Sequence, residues 1–249
     1  MSPLTGKRVL ITGGASGIGA ALVKLTTDAG AEVTVLDYNE QAGAKIADSH
    51  GAQFRLLDVT DAQQWQELAG SLNDIDYVAL NAGVMTALPS EPLKLADPLT
   101  VSPERYKQVM AVNVDGAFFG VRSLTPIMNW PDACITVTSS MAGLVPLNFD
   151  PIYSMTKHAI VGMVRSVAAS WQEITDGAMT GARINAICPG GVDTPLVPNE
   201  LKAAQMPSME PGIIAGEILD LWEQGGNGEI RLKLLADLPA TIVSPPELG

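Results

Sequence analysis

The sequence predicts an α/β fold: a doubly wound, seven-stranded parallel sheet with helices on both faces, built as a single domain over residues 1–249. Three observations carry the prediction. Short apolar runs alternate with helical stretches along the whole chain, the pattern of repeated β-α-β units. At 249 residues, 47% of them hydrophobic, the chain suits one domain with an ample core and is inconsistent with disorder. The first apolar run ends in a glycine-rich turn that leads directly into a helix.

Strands are expected near 7–12, 32–37, 53–58, 76–81, 133–138, 182–188 and 228–234, each a short apolar run of strand length. Helical stretches near 17–29, 39–48, 61–72, 102–128, 152–174 and 212–225 separate them. The right-handed crossover rule then favours a doubly wound sheet, whose ligands bind beyond the carboxyl ends of the strands. Two connections are long for plain loops: 85–103, with Pro89, Pro92, Pro98 and Pro103, and 189–211, with Pro189, Pro195, Pro198, Pro207 and Pro211. Within the second, 191–211 is a candidate substrate lid. After the last strand, Asn227-Gly-Glu-Ile-Arg-Leu-Lys-Leu234, comes a C-terminal tail, 235–249, with Pro239, Pro245 and Pro246.

A net charge of −12 disfavours nucleic acid and anionic membranes as partners, and no apolar stretch is long enough to span a bilayer. Cys134 opens one predicted strand and Cys188 closes another, so in a parallel sheet they stand at opposite edges and are expected to stay reduced. Lys7 and Arg8 precede the first strand so closely that a signal peptide is not expected, and a cytoplasmic protein is. His50 and His158 lack metal-ligand spacing, and no metal site is expected.

Two constellations carry chemistry. Thr12-Gly13-Gly14-Ala15-Ser16-Gly17-Ile18-Gly19 lets the backbone turn sharply and presents a helix N-terminus to a pyrophosphate. Asp37, at the end of the second strand, can accept hydrogen bonds from ribose hydroxyls and would repel an extra phosphate. Ala15, Ser16, Tyr38 and Asn39 offer no cation to hold that phosphate, so NAD is expected over NADP. Farther along, Tyr153 and Lys157 are one helical turn apart, with Ser140 upstream. A lysine cation beside a tyrosine lowers the phenol's pKa, so Tyr153 could exchange a proton with an alcohol or ketone. Pro189-Gly190-Gly191 can break the sixth strand and bring backbone near a ring.

Together the chain resembles the short-chain dehydrogenase/reductase family over nearly its whole length. The resemblance lies in Thr12–Gly19, Asp58-Val59, Asn81-Ala82-Gly83, Asn113-Val-Asp-Gly116, Ser140, Tyr153-x-x-x-Lys157 and Pro189-Gly190-Gly191-Val192-Asp193-Thr194. It implies a Rossmann fold and reversible hydride transfer. It also implies that Asp58 and Val59 meet the adenine and that Asn81, Ala82 and Gly83 support the turn beside the cofactor. Asn113 would complete a tetrad with Ser140, Tyr153 and Lys157, helping to hold a water that links the lysine to solvent. Lys157 would also hold the nicotinamide ribose, and Val192 and Thr194 the carboxamide. The C-terminal part is similar to the NAD-dependent 15-hydroxyprostaglandin dehydrogenase branch, which leaves a homo-oligomer, tetramer or dimer, as the expected assembly through helices near 102–128 and 152–174.

Met141, Ala142, Leu144, Val145, Leu147 and Phe149, with Leu196, Val197, Met206 and Met209 in the lid, point to a hydrophobic secondary alcohol or ketone as substrate. An acyl-carrier-protein ketoreductase would use the same tetrad, but Asp37 and the acidic surface disfavour it. A non-catalytic NAD-binding sensor would have no need for the four residues together.

Overall fold

In a computed structural model, residues 4–173 and 181–245 are described. The first strand, β1 (Arg8–Thr12), buries every residue after Arg8 on both of its faces, as a strand sandwiched between helix layers must. It pairs in parallel on one side with β2 (Glu32–Asp37) and on the other with β4 (Tyr77–Leu80). β3 (Gln53–Leu56) lies outside β2, while β5 (Cys134–Thr138), β6 (Arg183–Pro189) and β7 (Ile230–Lys233) follow β4, all parallel. The order β3-β2-β1-β4-β5-β6-β7 reverses direction between β1 and β4, which places a crevice at the carboxyl ends of those two strands.

Helices are α1 (Gly17–Asp28), α2 (Glu40–His50), α3 (Ala62–Gly70), α4 (Pro103–Met110), α5 (Gly116–Leu124), α6 (Pro151–Glu173), α7 (Asn199–Ala203) and α8 (Pro211–Gln224). The alternation of side chains along each strand divides the core in two. Leu10, Val78, Leu80, Ile135 and Val137 face Trp65 of α3, Leu124 of α5 and Val164 of α6. Val9, Ile11, Val35, Ala79 and Ile187 face Leu22 of α1 and Ile218 and Trp222 of α8. Trp222 stacks on Tyr77 with ring centroids 5.1 Å apart.

The structure departs from the sequence expectation in four places. First, among the described residues the sheet has eight strands. The tail adds β8 (Thr241–Ile242), antiparallel to β7, with Arg231 opposite Ile242 and Leu232 opposite Thr241. Two exposed residues between prolines carry no strand periodicity, so nothing in the pattern announced it. Arg165 Nη2 donates to Val243 O (2.9 Å) and Lys233 Nζ to Leu238 O (2.6 Å), fastening the tail. Second, the helix expected over 102–128 is broken. α4 passes into a π turn, Ala111–Asp115, before α5, and a 3-10 turn, Thr125–Ile127, ends it. Gly116 stands at this junction because a Cβ there would lie 2.9 Å from Val59 Cγ2. Third, the long segment after β6 contains the short helix α7. Fourth, three strands end earlier than expected, at Leu56, Leu80 and Lys233. Residue 174 of the expected helix 152–174 and residues 246–249 of the tail lie outside the described residues. Among the described residues no helix is long and apolar enough to cross a membrane.

Close packing of α5 on the sheet gives a stability test. A Cβ at Gly120 would lie 2.5 Å from Leu80 Cδ2 and 3.0 Å from the Trp65 ring. Gly120→Val should therefore lower the unfolding free energy by about 1–3 kcal/mol, the usual cost of overpacking, read as a lower urea midpoint at unchanged slope.

Candidate active site

The crevice at the strand reversal is built around Thr12, the last residue of β1. Its hydroxyl accepts the N–H groups of Asn81 (2.9 Å) and Ala82 (3.1 Å) just past β4. Thr138, ending β5, donates its hydroxyl to Asn81 Oδ1 at 3.1 Å. These bonds fix the turn Asn81-Ala82-Gly83 against the glycine loop. Gly13 has φ +63°, and a Cβ there would sit 3.0 Å from Ala82 Cα. Gly19 would drive a Cβ to 2.1 Å from Gly13 O. At these two positions there is room only for backbone.

The donor chemistry fits a dinucleotide. Ser16 precedes α1 in extended conformation and makes no side-chain cap bond, so the first-turn N–H groups around Gly17 and Ile18 remain open to an anion. Gly17 has φ +51° and packs against Thr194, whose Cγ2 would be 2.9 Å from an added Cβ. Thr194 therefore roofs the loop from the far side. Asp37 is buried and accepts the N–H groups of Ala15 (3.0 Å) and Asn39 (2.9 Å), which fixes its carboxylate beside the glycine loop. Asp58 is exposed beyond β3 and holds Thr60 through its N–H (2.9 Å) and hydroxyl (2.8 Å). Val59 packs against Gly116. Past Pro189, the Gly190 N–H donates to Lys233 O (2.8 Å), and a Cβ on Gly190 would meet Leu234 O. Val192 pairs with Met209 in an isolated parallel bridge, which clamps the base of segment 191–211.

The four residues expected to form a tetrad come together from three places in the fold: the π turn, the end of β5 and the first turns of α6. Asn113, in the π turn, donates Nδ2 to Val84 O (2.9 Å) and Thr156 Oγ1 (3.0 Å) and accepts the Val84 N–H (2.8 Å). Thr156 in turn donates to Tyr153 O at 2.7 Å. Ser140 follows β5 and hydrogen-bonds the Tyr153 phenol. Its neighbour Ser139 instead donates to Lys157 O at 2.9 Å, a supporting role. Lys157 Nζ donates to Thr138 O at 2.8 Å and lies 5.5 Å from the centre of the Tyr153 ring. Gly83 completes the floor, since a Cβ there would touch both Asn113 Oδ1 and Lys157 Nζ at 3.4 Å.

Their electrostatics correct the expectation that Lys157 lowers the phenol's pKa. Burial pushes Tyr153 up to about 12; the Ser140 hydrogen bond opposes this, while Asp150 and Cys188 add to it. Burial likewise pulls Lys157 down to about 8. Loss of water disfavours phenolate and ammonium alike.

Around Tyr153, Met85 and Ala142 form an apolar cluster with Leu147, Phe149, Leu196 and Leu201. Other expected pocket residues go elsewhere. Leu144 packs on the main core and Met209 belongs to the second core, while Val145 and Met206 are exposed. Met85 and Leu201 carried no sequence signal beyond being apolar. Thr138 could have been found, and Thr12 given a role beyond opening the glycine turn, because both end strands at the ligand-binding edge. The segment 191–211 meets the other long loop through Asn199 N–H to Pro89 O (2.8 Å) and Leu93 N–H to Glu200 Oε2 (3.3 Å). Cys134 and Cys188 are both buried free thiols.

Comparison with known proteins gives the family and the fold. The short chain dehydrogenase family profile matches residues 7–205. A 2,5-dichloro-2,5-cyclohexadiene-1,4-diol dehydrogenase of Sphingobium indicum is 36% identical over 206 residues, 79% of this chain and 77% of that protein. The 15-hydroxyprostaglandin dehydrogenase [NAD(+)] of Mus musculus is 29% identical over 218 residues, 82% of this chain and 74% of that one. In fold, the chain is similar to BdcA in complex with NADPH, with TM-score 0.82, 23% identity and coverage of 94% and 95%. It is also similar to levodione reductase, with TM-score 0.78, 23% identity and coverage of 92% and 96%.

The buried lysine has a thermodynamic signature. Its folded pKa of about 8 lies below its ordinary 10.5, so between those values the unfolded chain holds a proton that the folded chain has lost. Stability then rises with pH across that window. Tyr153, raised from 10.0 to about 12, acts in the opposite sense above pH 10. Wild type should therefore gain on the order of 2 kcal/mol relative to Lys157→Met between about pH 8 and 10. Urea unfolding across that range measures it, and parallel curves for the two proteins would refute it.

Proposed function

The chain belongs to the short chain dehydrogenase family, an oxidoreductase that uses a nicotinamide cofactor, and from that premise we propose that it interconverts a hydrophobic secondary alcohol and its ketone with NAD(H). The observation that carries this reading is the convergence of Asn113, Ser140, Tyr153 and Lys157 beneath an apolar cluster that includes the Tyr153 ring itself.

The residues that would hold the cofactor are Gly13, Ser16, Gly17, Ile18 and Gly19 at the pyrophosphate and Asp37 at the adenosine ribose. Asp58 and Val59 would meet the adenine, and Asn81, Ala82 and Gly83 would line the floor. Tyr153 and Lys157 would meet the nicotinamide ribose, Val192 and Thr194 the carboxamide, and Pro189 and Gly190 would bring backbone near the ring. Bound there, the oxidised form supplies a hydride acceptor with a positively charged ring. Everything else falls to the chain. Ser140 and Tyr153 grip the substrate oxygen and orient its carbon, which converts binding energy into alignment. In oxidation, Tyr153 as phenolate takes the hydroxyl proton; in reduction it returns that proton to the developing alkoxide. Lys157, anchored on the Thr138 carbonyl, provides positive charge one turn from the phenol, and Asn113 holds the helix geometry through Thr156. The segment 191–211 acts as the lid over this pocket. Preference for NAD over NADP is supported by the Asp37 carboxylate beside the glycine loop and by the absence of Lys and Arg from residues 13–19 and 38–39. We place the enzyme in the cytoplasm as a homo-oligomer.

Two measurements test the reading. NAD-dependent oxidation of a panel of apolar secondary alcohols should proceed with wild type. Tyr153→Phe should lose turnover by ~100-fold or more while binding NADH as wild type does; full activity in that variant would remove Tyr153 from the chemistry. NADH should bind more tightly than NADPH, and Asp37→Ala should narrow the gap; tighter NADPH binding by wild type refutes the cofactor assignment.

A further inference from the structure

Between β4 and the proline-rich loop, five backbone groups of residues 84–86 are held by side chains. Asn113 takes the N–H and C=O of Val84. Asp150 Oδ2 accepts the Thr86 N–H at 2.8 Å. Arg105, from α4, donates Nη2 to Met85 O (2.6 Å) and Nε to Thr86 O (2.8 Å). Asn113 already has a place in the proposed tetrad, but Asp150 and Arg105 have none.

Asp150 is fully buried, directly before Pro151 at the start of α6. Its other oxygen, Oδ1, accepts the N–H of Tyr153 at 3.0 Å. A helix cap needs one acceptor oxygen, which a serine supplies as well as an aspartate. The second oxygen does something a cap does not require: it joins the residue that opens the catalytic turn to the segment carrying Met85. Met85 and Tyr153 are neighbours in the apolar cluster where the substrate carbon would lie. Arg105 grips the same segment by a planar fork that a single-point donor cannot copy.

We infer that Asp150 and Arg105 are positioning residues for the reaction, the carboxylate setting the separation between Tyr153 and the Met85 wall and the guanidinium locking that wall in place. The inference rests on the oxidoreductase reading above. The Asp150 charge also bears on the proton step. The groups facing the phenol are Ser140 after β5, Lys157 on α6, Cys188 on β6 and Asp150, with Arg105 facing Asp150 in turn. Among them Asp150 is a negative charge that disfavours the phenolate.

The test uses Asp150→Ser, which keeps the cap on the Tyr153 N–H but is too short to reach Thr86 as well. Amide hydrogen exchange should speed up at Thr86 while the Tyr153 amide stays protected. Turnover of the best alcohol should fall ~10-fold or more in kcat, the scale of a small misalignment, with NADH affinity unchanged. Removing the buried negative charge favours the phenolate, so the acid limb of the oxidation profile should move to lower pH. Arg105→Gln, which leaves the cap and the carboxylate intact, should likewise lower kcat. Asp150→Ser with wild-type kcat and an unmoved acid limb overturns the proposal alone, since Asp150 would then be a cap only; so does unchanged exchange at Thr86. Wild type that turns over no alcohol in the panel overturns the reading beneath it.

Discussion

The hydroxyl of Thr12 accepting two successive amides from Asn81 and Ala82 is the bond on which the rest of the site depends. It sits where the strand order reverses, and a reversal leaves two neighbouring crossovers running to opposite faces of the sheet. Without a tie across the carboxyl ends of β1 and β4, the crevice would have no fixed floor. Through Asn81 the tie extends to Thr138, and through the Thr138 carbonyl to Lys157. The tie thus runs from the end of β1 through the turn just past β4 to the end of β5 and the buried ammonium, and groups held close to rigid strands keep their places more precisely than groups on long loops.

The ammonium and the phenol tell a single electrostatic story. Both are buried, and burial pushes each toward its neutral form, the phenol up and the amine down. On the function proposed above, such a site would hold its proton on the tyrosine, and oxidation would draw on a further positive charge to reach the phenolate. The helix that carries both residues is held at its start by Asp150, in its first turn by Thr156 and Asn113, and farther along by Ser139 on the Lys157 carbonyl.

Much of this was legible in the sequence, for identifiable reasons. Strand and helix order follow from apolar periodicity, and glycines that meet backbone within 3 Å, such as Gly13 and Gly19, can be nothing else. Asp37, Ser140, Tyr153 and Lys157 were visible because residue type and spacing alone restrict what they can do. The π turn at Asn113 was not legible, since an extra residue in a helical turn leaves the 3.6-residue pattern almost intact while shifting its phase. The pocket lining was legible only in part. Leu144 and Leu147 have the same chemistry and lie three residues apart, yet one packs on the core and the other on the tyrosine. Arg105 and Asp150 act on backbone atoms of residues 85 and 86, and no local pattern encodes partners nineteen, twenty and sixty-four residues away.

The two-residue strand β8 closes a question that the parallel sheet leaves open. A sheet edge is a row of unpaired amides and carbonyls that invites another chain to extend it. At β7, that row meets an antiparallel partner from the same chain: Val243 N–H donates to Ile230 O at 2.8 Å, and Arg165 fastens the strap from the helix layer. The opposite edge, β3, is only four residues long. A second chain seeking to extend the sheet would therefore find four residues at one edge and a two-residue strap at the other, too little ladder at either to hold it by backbone pairing alone.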